Sequence, residues 1–258
     1  MILHGALGES PSPLKRADHT GGDCAAESKY PHSPVGSATG IVLNANFDVI
    51  YAMRISVLAL DGLFDTGLAV ILDAFSLANN FSARKMGGTP HFDVSIVGVR
   101  RKVRSGQGMP IPVQPITPDL KPDWVIIPAL GTGTPERLVP ALERPDVRKA
   151  KDQILKWHAG GALIAASCIG TFLVAETGLL DHREATTTWW LGPLFRQRYP
   201  NVLLDESRML VPTEVGVTAG AAMGHLDLVL WLIRKASPEL ASVVSRYLLA
   251  DIRSSQAP

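Results

Sequence analysis

Short apolar runs recur through residues 51–252, separated by stretches whose apolar residues fall at helical spacing. Arg54-Ile55-Ser56-Val57-Leu58-Ala59-Leu60 reads as a first strand, and Met53 stands immediately before it. A turn at Asp61-Gly62-Leu63-Phe64-Asp65 leads into Thr66 to Asn79, where Leu68, Ile71, Leu72, Phe75 and Leu77 predict a helix packed by one face. Phe92-Asp93-Val94-Ser95-Ile96-Val97 alternates as a half-buried strand does, and Trp124-Val125-Ile126-Ile127 is a continuous apolar strand. A helix is expected from Pro145 to His158, stopped by Gly160-Gly161. Downstream, Glu184-Ala185-Thr186-Thr187-Thr188 is β-prone, and Trp189-Trp190 leads into a short helix from Leu191 to Tyr199. Val202-Leu203-Leu204 reads as a strand. Met209-Leu210-Val211 and Val215-Gly216-Val217-Thr218 read as a strand pair. An apolar helix after Gly220 and a last helix from Pro238 to about Ile252 complete the pattern.

Strands alternating with helices predict a mostly parallel sheet covered on both faces. Such sheets bind ligands at the carboxyl ends of their strands. The Asp61–Asp65 turn, the Gly-rich loop Gly131-Thr132-Gly133-Thr134 and the segment after residue 166 all follow strands, so they are expected at one rim. The glycines of that loop allow backbone N–H groups to approach a ligand, but no Gly-Lys-Ser/Thr follows, so it is not a phosphate-cradling P-loop. The basic run Arg100-Arg101-Lys102-Val103-Arg104 reads as a solvated edge.

The organising stretch is Gly161 to Glu176. It begins as a buried strand and ends at helical spacing, with Ser167-Cys168-Ile169-Gly170 at the junction. A strand that turns sharply into a helix holds its corner residue up and needs small neighbours, which Ala166, Ser167 and Gly170 are. This is the logic of a nucleophile elbow, with Cys168 where a hydrolase has Ser. The following helix N-terminus is expected to favour the thiolate. The competing reading is a small buried Cys at a tight turn.

Composition narrows the classes. The chain of 258 residues is 46% hydrophobic and 19% charged, with net charge +1, which suits one globular domain and suggests neither nucleic-acid nor membrane binding. Residues 1–50, rich in Pro, Gly, Ser and His, read as a disordered N-terminal extension, and translation starting at Met53 is one explanation of it. The two cysteines, Cys24 and Cys168, fall in the extension and the predicted core. A disulfide is therefore not expected, and a cytoplasmic protein fits. No apolar stretch has the length of a membrane span and no signal peptide is evident. No cofactor or metal site is expected.

Several stretches resemble the ThiJ/PfpI superfamily, also called class I glutamine amidotransferase-like. More closely they resemble the sensor half of AraC-type transcriptional regulators. They are Ala165-Ala166-Ser167-Cys168-Ile169-Gly170, Ala175 to Asp181, Ala185 to Trp190, Asp205-Glu206-Ser207-Arg208, and Val217-Thr218-Ala219-Gly220 through Asp227. The resemblance implies a flavodoxin-like three-layer α/β/α sandwich, a homodimer, and a domain over 51–252 with 253–258 as a tail. It also implies Cys168 as nucleophile in an enzyme, with Asp65 or Asp61 near the sulfur and an oxyanion hole from the N–H of Ile169 and of the loop at Gly131.

Two departures steer the functional expectation. Relatives commonly carry His before the Trp pair, where this chain has Thr188, and a hydroxyl cannot take the thiol proton near neutral pH. His158, His182 and His225 remain, each expected to be a surface or satisfied core residue. Such regulators also continue into a helix-turn-helix domain, which is not expected before Pro258. The resulting expectation is a non-catalytic small-molecule sensor. Its pocket is formed by Cys168, Ile169, Gly131, Thr132, Asp61, Asp65, Thr188 and Trp189, although a Trp pair more commonly joins a core. The alternatives are a Cys168-dependent hydrolase, hydratase or amidase, and a sensor of oxidants or electrophiles through Cys168.

Overall fold

The computed structural model describes residues 52–85, 91–251 and 253–256. The expected N-terminal extension over 1–50, Cys24 and Ile252 lie outside the described residues.

In chain order the first half forms β1 (Met53–Leu58), α1 (Asp65–Lys85), β2 (Phe92–Gly98), β3 (Val103–Arg104), β4 (Pro110–Ile111), β5 (Gln114–Pro115), β6 (Trp124–Ile127), α2 (Pro135–Leu142) and α3 (Pro145–Ala159). The second half forms β7 (Leu163–Ser167), α4 (Gly170–Ala175), β8 (Glu184–Ala185), α5 (Gly192–Arg198), β9 (Leu203–Leu204), β10 (Leu210–Pro212), β11 (Gly216–Ala219), α6 (Gly224–Ala236) and α7 (Pro238–Tyr247). The central sheet has seven strands in the order β10-β11-β7-β6-β1-β2-β5. Only the β10–β11 pair is antiparallel.

The continuous apolar runs are explained by burial on both faces. In β6, Val125 and Ile127 enter one core while Trp124 and Ile126 enter the other. In β7, Ile164 and Ala166 face the first core and Ala165 the second. The first core also takes Leu138, Leu142, Val147, Ile154 and Phe172 from α2, α3 and α4. The second takes Leu68, Ile71 and Phe75 from α1 and Leu228, Leu232 and Ile233 from α6. The result is helices on both sides of one mostly parallel sheet, the expected flavodoxin-like α/β architecture.

Register places the site. Ile127 lies opposite Ala166, and Ser167 opposite Ala219, so β6, β7 and β11 end at one level. The rim expected from the sequence is therefore real. Beneath it, Glu176 at the end of α4 accepts from Lys151 Nζ at 2.8 Å, Arg198 Nε at 2.7 Å and the Tyr199 hydroxyl at 2.7 Å. Burial alone would raise the Glu176 pKa, but these donors together hold it below the usual value.

Several boundaries differ from the sequence reading. The first strand ends at Leu58, α1 begins at Asp65 and continues past Asn79 to Lys85, and α7 stops at Tyr247. Leu203 and Leu204 pair with Glu184 and Ala185 in a separate two-stranded ribbon. Thr186, Thr187 and Thr188 are not strand; their hydroxyls are drawn into the interior, where all three residues are fully buried. Residues 253–256 are not a loose tail. Ser255 bridges Arg208, and Met209 N–H donates to Ser254 O at 3.2 Å, so the segment runs beside residues 207–209, just before β10.

The corner after β7 tolerates no side chain at Gly170, where a Cβ would fall 2.3 Å from the Ile127 carbonyl oxygen. Gly170→Ala is expected to lower unfolding free energy by about 2–4 kcal/mol, the range of a backbone clash in a core. Gly133→Ala, where a Cβ meets nothing within 4 Å, is expected to change it by less than about 0.5 kcal/mol. Urea midpoints of the two variants check this.

Candidate functional site

Cys168 occupies the corner between β7 and α4 with φ of 55°, the left-handed region that a non-glycine residue enters at a cost of about 1–3 kcal/mol. Surrounding bonds hold it there. Its N–H donates to Ala219 O at 2.7 Å, and its carbonyl accepts from Thr171 N–H at 3.2 Å and from the Thr187 hydroxyl at 2.8 Å. Cys168 thus stands at a sharp strand-to-helix corner, between β7 and α4.

The sulfur's chemistry is different from that expected. Cys168 is only 3% exposed, and burial pushes its thiol up to about 11. The Ile169 N–H and the Thr188 hydroxyl act in the opposite direction and do not prevail. Near neutral pH the protonated thiol is then strongly favoured. The expectation that the helix terminus favours thiolate is overturned, because desolvation outweighs a terminus of only six helical residues. Thr188 Oγ1 is buried with no partner of ordinary hydrogen-bond geometry.

A cleft of about 240 Å³ opens at the rim above this corner. Phe64 and Asp65 line it from the β1 turn, Gly106 and Gln107 from the β3–β4 loop, and Ala129 to Gly133 from the segment after β6. Cys168, Ile169, Trp190 and Ala222 complete the lining. Asp65 Oδ2 accepts from Gln107 N–H at 3.1 Å. Asp65 Oδ1 and Thr132 Oγ1 are buried and have no partner. The residues lining the cleft thus include a carboxylate and a hydroxyl whose buried oxygens have unused capacity, together with an indole.

Four sequence expectations are corrected. Asp61 does not line the cleft. Its carboxylate accepts from Arg104 N–H at 2.9 Å and pairs with Arg100, and its carbonyl accepts from Arg144 Nη2 at 2.8 Å, so it brackets the turn. Gly131 lines the cleft, but its N–H is donated to the Gly62 carbonyl, so it is no oxyanion donor. Trp189 is absent from the lining and Trp190 takes its place; at 43% and 36% exposure, neither ring is core. Thr188 lies beneath the cleft, against the sulfur. Gly106, Gln107 and Ala222 were not anticipated; the Gly/Pro-rich character after Arg104 was the only signal for the first two.

The histidines behave as expected. His225 is buried, and its Nε2 accepts from Ala129 N–H at 3.1 Å, which requires that Nδ1 carry the proton it donates to Ala222 O at 2.8 Å. Both nitrogens are spent on backbone groups of the cleft wall. Gly67 makes room for the ring, since a Cβ there would sit 2.6 Å from Nε2. His158 Nδ1 contacts Ala162 O at 3.2 Å, and His182 occupies a left-handed turn at φ of 62°. Among the described residues, no cluster of His, Cys, Asp or Glu is placed to hold a metal ion. No described helix is long and apolar enough to cross a membrane.

Burial depresses the His225 pKa to about 4, against about 6.5 in an unfolded chain. The unfolded state therefore binds this proton first. Stability is full above about pH 6.5 and falls by up to about 1.4 kcal/mol per pH unit between 6.5 and 4. Urea midpoints from pH 7 to 5 are expected to show this slope in the native chain and a flatter one in His225→Gln.

No family model matches the chain. Over 103 residues it is 31% identical to the HTH-type transcriptional regulator CdhR of Pseudomonas aeruginosa, a match spanning 39% of this chain and 30% of that regulator. The chain therefore spans about a third of the curated relative it matches. Its fold is similar to that of an AraC family transcriptional regulator from Pseudomonas putida, with TM-score 0.60 and 18% identity, covering 76% of this chain and 98% of the other. A ThiJ/PfpI family protein from Pseudomonas syringae gives TM-score 0.62 at 17% identity, covering 81% and 78%. Drosophila melanogaster DJ-1beta gives 0.60 at 18%, covering 78% and 100%. The chain shares its fold with DJ-1, ThiJ/PfpI proteins and AraC-family regulators, as the motifs around Cys168 lead one to expect.

Proposed function

We propose that this chain is the small-molecule-sensing, amidotransferase-like part of an AraC-type transcriptional regulator, and that its cleft binds without turnover. The observation that carries this reading is the state of the sulfur. Cys168 sits at the floor of a formed cleft, yet its thiol is pushed up to about 11. The imidazole of His225, packed against the same wall, is spent on Ala129 and Ala222. A nucleophile needs an activating base or a lowered pKa, and Cys168 has neither.

The lining favours a ligand that donates hydrogen bonds and carries an ammonium or amide nitrogen. Asp65 Oδ1 is an acceptor without a donor, and a buried acceptor of this kind gains most from a charged donor. Trp190 lines the same space, and an indole there suits a cation. A volume of about 240 Å³ limits the ligand to a compact metabolite, amino-acid-like in size. A homodimer of such domains, without direct nucleic-acid contact by this chain, belongs to the same proposal.

One observation favours the second reading, a Cys168-dependent hydrolase, hydratase or amidase. The left-handed corner and the Ile169 N–H beside the sulfur are the parts such an enzyme would keep. Asp65 would have to serve as base there.

Calorimetric titration against a panel of small ammonium and amide compounds separates the two. The sensor reading expects micromolar binding, unchanged chemical identity of the ligand, and retained binding in Cys168→Ser. Asp65→Asn is expected to weaken an ammonium ligand by about ten- to a hundredfold, the value of a charge-assisted bond. Turnover that disappears in Cys168→Ser would establish the enzyme instead.

A further inference from the structure

The walls on either side of the Cys168 corner are tied together from behind by residues 253–256. On one side, Gln256 is 5% exposed and its side-chain nitrogen reaches inward. Nε2 lies 2.9 Å from Thr186 Oγ1, 2.9 Å from Thr187 O and 3.0 Å from Arg208 O. The carbonyls fix which end of the amide is nitrogen, since they can only accept. Thr187 in turn donates its hydroxyl to the Cys168 carbonyl at 2.8 Å. On the other side, the Arg253 guanidinium pairs with the buried carboxylate of Asp227 in the first turn of α6. Arg253 Nη2 also donates to Met223 O at 3.1 Å, one residue from the cleft-lining Ala222.

The seat is built for this segment. Gly220 leaves the space the amide fills, for a Cβ there would fall 1.7 Å from Gln256 Nε2. The Gln256 N–H donates to Ser207 O at 2.8 Å, beside the Arg208–Ser255 bridge. The seat is also incompletely satisfied. An amide nitrogen has two hydrogens for these three acceptors, and Gln256 Oε1 is buried with no partner. A half-satisfied polar network inside a protein holds its segment less firmly than a fully satisfied one, because the unpaired buried group is costly.

We propose that residues 253–256 form a detachable strap whose docking is coupled to the conformation of the Cys168 corner, with Gln256 as the residue that carries the coupling through Thr187. When the strap leaves, Thr187 O loses its donor and the Thr186–Thr188 segment loses its support from behind. The corner that depends on the Thr187 hydroxyl then opens more readily. Coupling is reciprocal, so a change at the corner must loosen the strap to the same extent. The proposal goes beyond the sensing reading and holds for a sensor or an enzyme alike.

Iodoacetamide alkylation of the full chain tests it, with peptide-resolved mass spectrometry counting Cys168 apart from Cys24. In this probe reaction the C–S bond forms as iodide leaves and the thiol proton passes to solvent. Gln256→Ala is expected to speed Cys168 alkylation by at least about fivefold, the lower end of measured couplings. Gly220→Ala, which fills the seat without altering the strap, is expected to do the same. Arg183→Ala, at the Arg183–Glu214 pair on the surface, is expected to leave the rate unchanged. In the native sequence, the Met209 and Gln256 amides, which bond Ser254 O and Ser207 O, are expected to exchange hydrogen faster once Cys168 is alkylated. Unchanged alkylation in a folded strap variant overturns the proposal, and so do equal exchange rates in alkylated and unmodified protein. The exchange measurement needs no variant, so a variant that fails to fold does not shelter the idea.

Discussion

A chain leaving the end of β7 must reverse into α4 within the space of Cys168 and Ile169, and the rest of the rim conforms to that reversal. The backbone of Gly170 lies so close to Ile127 that a methyl group would collide with its carbonyl. Cys168 is held left-handed by bonds to Ala219, Thr171 and Thr187, which come from β11, α4 and the segment after β8. Ala219 and Thr171 are fixed by their own strand and helix, and Thr187 is held by the Gln256 side chain, which donates to its carbonyl. The strained residue persists because its surroundings over-determine it, as backbone strain at functional sites generally requires.

Two opposed effects meet at the sulfur, and their balance decides the chemistry. Hydrogen bonding from Ile169 and Thr188 favours an anion, whereas removal from water disfavours it more strongly. The corner therefore holds a thiol whose ionisation burial opposes. The unused polar capacity of the cleft lining lies instead with Asp65 and Thr132, each of which holds a buried oxygen without a partner. His225 contributes by shaping: it ties the Ala129 backbone to the α6 entrance and stays uncharged to about pH 4.

Much of this was legible in the sequence because periodicity and small-residue punctuation report burial. The continuous runs Trp124–Ile127 and Leu163–Ser167 had to be central strands, and Ser167-Cys168-Ile169-Gly170 had to be a corner. What escaped were quantities that depend on neighbours distant in sequence. Nothing local to Asp61 announces that Arg104 and Arg144 will claim its oxygens. Nothing local to Gly131 announces the Gly62 carbonyl. The choice between Trp189 and Trp190 turned on the rotation of one short helical turn. The run Glu184–Thr188 looked β-prone because threonine is β-branched, but the Thr186 and Thr187 hydroxyls bond the Arg208 and Cys168 carbonyls, and the Thr186 N–H donates to the Thr218 hydroxyl instead of to a ladder.

The provenance of the cleft's lining has a consequence for assembly. Phe64, Gly106, Gly131, Cys168, Trp190 and Ala222 each come from a different connection, and β1, β6, β7 and β11, which precede four of them, lie side by side in the sheet although they are far apart in the chain. Parallel pairings of this kind close long loops and form late. A growing polypeptide that has completed β1, β2 and β6 still has no cleft, because β7 and β11 have yet to dock beside them. The cleft is therefore a product of the finished sheet: its walls meet only when all of these strands have docked.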